Sequence, residues 1–70
     1  MTQTEMVLNH LREHGSITAL EAQQEYGIMR LSARIADLRE QGYSISTNKK
    51  SSRNRWGTMT TYANYTLIGG

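Results

Sequence analysis

Residues 27–46, GIMRLSARIADLREQGYSIS, constrain this chain more than any other stretch. Leu31, Ile35 and Leu38 fall at positions i, i+4 and i+7 and so share one helical face, and Ile28 joins them from the preceding turn. Met29, Ala33, Ala36, Asp37 and Glu40 occupy the opposite side, flanked by Arg30, Ser32 and Arg34. The spacing predicts a helix over about 30–41. One face is for a core, and the other is small and polar near its N-terminus. Gly42 stops it. Residues 43–47, Tyr-Ser-Ile-Ser-Thr, then alternate with the period of a half-buried strand.

Upstream, two capping boxes mark two more helices. Thr2 and Glu5 have the spacing in which each side chain takes up a free backbone N–H, which predicts a helix over 3–14 with Val7, Leu8 and Leu11 on one face. Gly15 follows its last turn. Residues 16–18 are long enough only to pair at a sheet edge. Thr18 and Glu21 repeat the box and predict a helix over 19–26, with Leu20 and Tyr26 buried and Ala22 and Ala19 closing against neighbours. Gly27 allows a sharp turn over 27–30. Helix, glycine-containing turn and helix make a helix-turn-helix.

Downstream, residues 48–57 read as a loop, NKKSSRNRWG, holding Lys49, Lys50, Arg53 and Arg55, four of the eight Lys and Arg present. Its length and low apolar content predict mobility in the absence of a ligand. Residues 58–67 are rich in Thr and Tyr and predict the returning strand. Alternation puts Met59, Ala63, Tyr65 and Leu67 on one face with Tyr43 and Ile45 opposite them. Thr58, Thr60, Tyr62, Asn64 and Thr66 face outward.

Seventy residues make one domain, spanning 1–70, with a modest core. Cysteine is absent, so neither disulfides nor a thiolate metal site supplements that core. No apolar run approaches a membrane span of roughly 18–20 residues, and no signal peptide opens the chain, so a cytoplasmic protein is expected. The net charge of +2 is unevenly spread: residues 1–40 hold four arginines against five glutamates and Asp37, whereas residues 41–70 hold four cations and no acid. Concentrated charge of this kind suits an anionic partner; the competing reading is a solvated loop that happens to be basic. His10 and His14 have the i,i+4 spacing of a two-imidazole metal site, but no third ligand accompanies them. No phosphate-binding glycine loop, carboxylate pair or nucleophile setting is present, so no enzyme, catalytic residue or cofactor is expected.

The order helix, short strand, helix, turn, helix and two-stranded wing resembles the winged helix-turn-helix DNA-binding superfamily. GSITALEA followed by GIMRLSARIADLREQGY is similar to small helix-turn-helix proteins of bacteriophages and prophages. The resemblance covers about residues 4–67 and implies an α+β fold of three helices with a small antiparallel sheet, its wing hairpin over about 43–67. It also implies docking with the third helix in the major groove and the wing on backbone or minor groove, in the cytoplasm of a bacterial host. The loop over 48–57 departs from a minimal wing in its length.

On that docking, Arg30, Ser32 and Arg34 lie in the first turns of the inserted helix, where arginine can take guanine O6 and N7 together. Met29 and Ala33 suit a thymine methyl group. Arg34 has a competing role in an i,i+3 pair with Asp37. Lys49, Lys50, Arg53 and Arg55 are candidates for phosphate or minor groove. Thr18 offers a helix N-terminus to a phosphate or simply caps its own helix. Trp56 either stacks against DNA or packs on the hairpin with Tyr62, and packing is the preferred reading.

The expected function is that of a double-stranded DNA-binding regulator, self-associating on DNA because one reading helix covers few base pairs. Alternatives are an excisionase-type bending factor, an adaptor for a host or phage protein, and an RNA-binding module.

Overall fold

Both capping boxes form. Thr2 caps α1 (Gln3–His14), and Thr18 caps α2 (Ala19–Tyr26), each hydroxyl accepting from the backbone N–H of the glutamate three residues on. Between them lies β1 (Ser16–Thr18), and after them come α3 (Leu31–Glu40), β2 (Ser44–Arg53) and β3 (Met59–Ile68). The structure is a computed structural model that describes residues 1–69.

Gly27 makes the turn between α2 and α3 possible. Its φ of 68° lies in the left-handed region that suits a residue without Cβ. The N–H of Ile28 then bonds back to the Ala22 carbonyl at 3.1 Å, folding the turn under the helix end and delivering Ile28 to the core.

The sheet is antiparallel in the order β1-β3-β2. β1 covers β3 only from Asn64 to Thr66, whereas β2 pairs along all of it, from Ser44↔Ile68 to Arg53↔Met59. The core sits where helices meet the base of this sheet. Val7 and Leu11 of α1, Leu31, Ile35 and Leu38 of α3, Ile17 of β1 and Ile45 of β2 are all buried, together with Ala22 and Ile28. The predicted stripe on α3 is therefore the core stripe.

Three expectations are corrected. Leu20 is 62% exposed rather than buried. It lies two residues, about 200° of helix rotation, from the buried Ala22, so it points away from the core. Met59 is also exposed, because it pairs with Arg53 at the far end of the hairpin, beyond the helices. Most of the predicted loop over 48–57 is strand: pairing runs on to Arg53, and only 54–58 remain for the turn. From the Asn48↔Asn64 rung to Arg53↔Met59 the two strands project as a ribbon about 17 Å long at ordinary strand rise. Both faces of the ribbon meet solvent, so its sequence needs no apolar alternation.

Candidate nucleic-acid interface

The N-terminal end of α3 is held by its apolar side and open on its polar side. Arg30 occupies the N-cap position without a side-chain cap, and Met29, Arg30 and Ser32 are exposed, with Ala33 half-buried. Met29, Arg30 and Ser32 line a concavity closed on its other wall by Ala63 and Tyr65 of β3. The N-terminal end of α3 and one face of the wing thus share a single hollow.

Strand geometry divides the wing cations between two faces. Residues paired in register share a face, and successive residues alternate. Lys49 pairs with Ala63 and Arg53 with Met59, so both lie on the face that carries the concavity outward from α3. Lys50 pairs with Tyr62 and lies on the opposite face. The basic cluster seen in the sequence is therefore not one patch.

Arg34 is engaged elsewhere. Its Nε lies 3.2 Å from Asp37 Oδ2, close enough for an ion pair but without the alignment of a hydrogen bond. Its Nη1 donates to Gln3 Oε1 at 3.4 Å, and the Thr4 hydroxyl donates to the same Asp37 oxygen at 3.3 Å. The polar side of α3 is tied to the start of α1 through this set, the competing role noted for Arg34. Arg30 has no carboxylate within ion-pair distance among the described residues.

Thr18 is occupied by its cap: its hydroxyl accepts from Glu21 N–H at 3.2 Å while the Glu21 carboxylate accepts from Thr18 N–H at 2.9 Å. The N-terminus of α2 carries its own anion and offers little to a phosphate.

The wing tip is built by Asn54. Its Oδ1 accepts from the N–H of Trp56 at 2.9 Å and of Thr58 at 3.0 Å, and its own N–H donates to the Thr58 carbonyl at 3.0 Å. Gly57, with φ 78°, completes the turn by donating to the Asn54 carbonyl at 3.0 Å. These hydrogen bonds give residues 54–58 the form of a defined turn. Trp56 is 78% exposed at its end and does not pack on Tyr62, while the Arg55 guanidinium lies 5.4 Å from the indole centroid. The preferred packing role for Trp56 is thereby overturned.

Sequence reasoning missed Arg39. Its Nη2 and Nε donate to the Ile45 carbonyl at 2.7 and 3.2 Å, and Nη2 also reaches the Thr47 hydroxyl at 2.9 Å. This clasp fixes the base of the wing to α3. Nothing local to residue 39 signals it, because the partner lies across a turn. Asn54 had a signal, an Asn three residues before a Gly.

Three carboxylates gather around Tyr26. Burial raises the Tyr26 phenol above its ordinary value, and the nearby carboxylates of Glu25, Glu13 and Glu21 push the same way. His10 is buried here, its Nδ1 2.8 Å from the Tyr26 hydroxyl and its ring centroid 4.5 Å from that of His14. Among the described residues no group of three or more His, Cys, Asp or Glu side chains is placed to hold a metal ion, and no helix is long and apolar enough to cross a membrane.

No curated protein and no solved structure matches this chain. A family model described as a winged helix-turn-helix domain matches residues 2–69, from the cap of α1 to the end of β3. With three helices, a glycine turn and a wing in place, the chain belongs to the winged helix-turn-helix domain family.

Proposed function

We propose that this domain binds double-stranded DNA as a small transcriptional regulator. The start of α3 enters the major groove, and the wing lies on the adjoining backbone or minor groove. One observation carries the reading: exposed Met29, Arg30 and Ser32 open into the same concavity as the wing face that holds Lys49 and Arg53. Cations on that face would hold phosphates and release their counterions, while Arg30 would read a guanine edge. Glu13, Glu21 and Glu25, gathered around Tyr26, supply the negative side of the molecule.

The phage or prophage setting, and with it a bacterial cytoplasm, is supported by resemblance of the segments GSITALEA and GIMRLSARIADLREQGY. A single reading helix of ten residues covers few base pairs, so useful specificity calls for two or more copies on one site. A second reading, an excisionase-type factor that bends attachment-site DNA, is favoured by the exposed, hydrogen-bonded wing tip.

The test is selection of bound sequences from a random duplex library at low and moderate salt. An enriched motif that survives moderate salt supports base reading, and its symmetry or repeat spacing gives the arrangement of copies. Binding that vanishes with salt and leaves no motif would sink the regulator reading, and a protein partner on the acidic side would take its place.

A further inference from the structure

We propose that the wing tip is a kinking wedge: Trp56 enters the minor groove between two base pairs and bends the duplex there, with Arg55 neutralising the groove beside it. The inference rests on the DNA-binding reading above and adds to it what the tip does and which step it selects.

Several observations converge. Trp56, the sole tryptophan, is left 78% exposed, forgoing burial that the fold offers to Leu31, Ile35 and Leu38. Its apolar company is small: from Ser51 to Thr58 no other residue is apolar apart from Gly57, and Met59 on the rung next to the turn is the one exposed apolar residue beside it, too little for the apolar patch a protein partner would cover. Its apolar ring instead has the Arg55 guanidinium beside it and Arg53 on the last rung before the turn, a composition that matches a polyanion with an apolar slot in it. A base step in a duplex is such a slot.

The tip is also preorganised. Asn54 accepts from both Trp56 and Thr58, and Gly57 closes the turn, so the backbone that carries the ring has little freedom left to lose on insertion. Arg55 already lies 5.4 Å from the indole centroid, so a ring that enters a groove takes a cation with it. Finally, the ribbon projects about 17 Å beyond the part of the sheet that β1 covers, long enough to reach from a major groove holding α3 to the adjoining minor groove.

Unstacking a step costs a few kcal/mol and is cheapest at flexible pyrimidine–purine steps such as TA. The wedge therefore confers sequence preference at a position where no hydrogen bond reads a base. Apolar wedges of this kind kink DNA by roughly 20–90° toward the major groove.

Because Trp56 is the only tryptophan, its emission reports the tip of the intact chain directly. The experiment follows that emission on titration with a short duplex carrying one central TA step. In parallel it follows anisotropy for binding and energy transfer between dyes at the two duplex ends for bending. On binding, emission is quenched and the duplex ends approach. W56A binds about ten-fold more weakly, in line with the loss of one stacked aromatic, and leaves the duplex straight. W56F restores the bend, and replacing TA by a GC step diminishes both signals. Binding with unquenched emission, or with the same bend in W56A, overturns the wedge while leaving DNA binding intact. Absence of any anisotropy change overturns both readings. A blue shift of the emission with anionic lipid vesicles, with no change on adding the duplex, overturns the wedge in favour of a membrane surface.

Discussion

Arg39 clasps Ile45: two guanidinium nitrogens of the helix residue share the strand residue's backbone carbonyl, at 2.7 and 3.2 Å, and one continues to Thr47. This relationship ties α3 to the base of the wing. Arg39→Ala leaves that carbonyl without its charged donor, and the domain is expected to lose about 1–2 kcal/mol. Urea unfolding measures the loss, and amide exchange in β2 should accelerate at its base. An unchanged midpoint would mean that water replaces the clasp at no cost.

Arg30 and Arg34 should separate in mutational tests. Arg34 is spent on Asp37 and Gln3, whereas Arg30 faces the concavity unpaired. Arg30→Ala is expected to weaken binding to a selected duplex about ten-fold or more, the cost of one base contact, while leaving the thermal midpoint in place. Arg34→Ala should weaken binding less and cost a few tenths of a kcal/mol of stability. Anisotropy titrations decide, and a larger binding loss at Arg34 would show that its ion pair opens on DNA.

Lys49 and Lys50 are sequence neighbours on opposite faces of the ribbon. Lys49→Ala is expected to flatten the dependence of log affinity on log salt by about 0.9, the contribution of one phosphate contact, and Lys50→Ala by much less. Equal slopes for the two variants would place DNA along the ribbon edge instead of its inner face.

Tyr26 makes stability fall in strong alkali. Burial, reinforced by Glu25, Glu13 and Glu21, raises its pKa above the ordinary value near 10. The folded state therefore favours the protonated phenol. The resulting stability is complete below a pH of about 10 and is lost as pH climbs through the folded value. Tyr26→Phe, which also forfeits the contact with His10, should lower the thermal midpoint at neutral pH and make it less sensitive to alkali. If Tyr26→Phe falls as steeply as the parent, other groups cause the alkaline loss.

The helices were legible because their signals are local. Thr2 with Glu5 and Thr18 with Glu21 announce two starts, and Leu31, Ile35 and Leu38 announce the core side of α3. Leu20 misled because hydrophobicity was read without its angle to Ala22. The ribbon stayed hidden because Lys49, Lys50, Ser51 and Ser52 pair through their backbone, and a strand wet on both faces has no apolar alternation to display. At the candidate interface, residue types were readable but directions were not. Only the register with β3 reveals that Lys49 and Lys50 part company, and only the turn made by Asn54 sends Trp56 outward.

The ribbon beyond Asn48↔Asn64 contains no buried residue. Every side chain that holds the domain together lies behind it. Substitutions there are nearly invisible to folding, so drift can rewrite this surface without eroding the scaffold. Descendants of such a chain can diverge quickly in what they recognise while remaining superimposable in their helices. Robustness sits at one end of the molecule and innovation at the other.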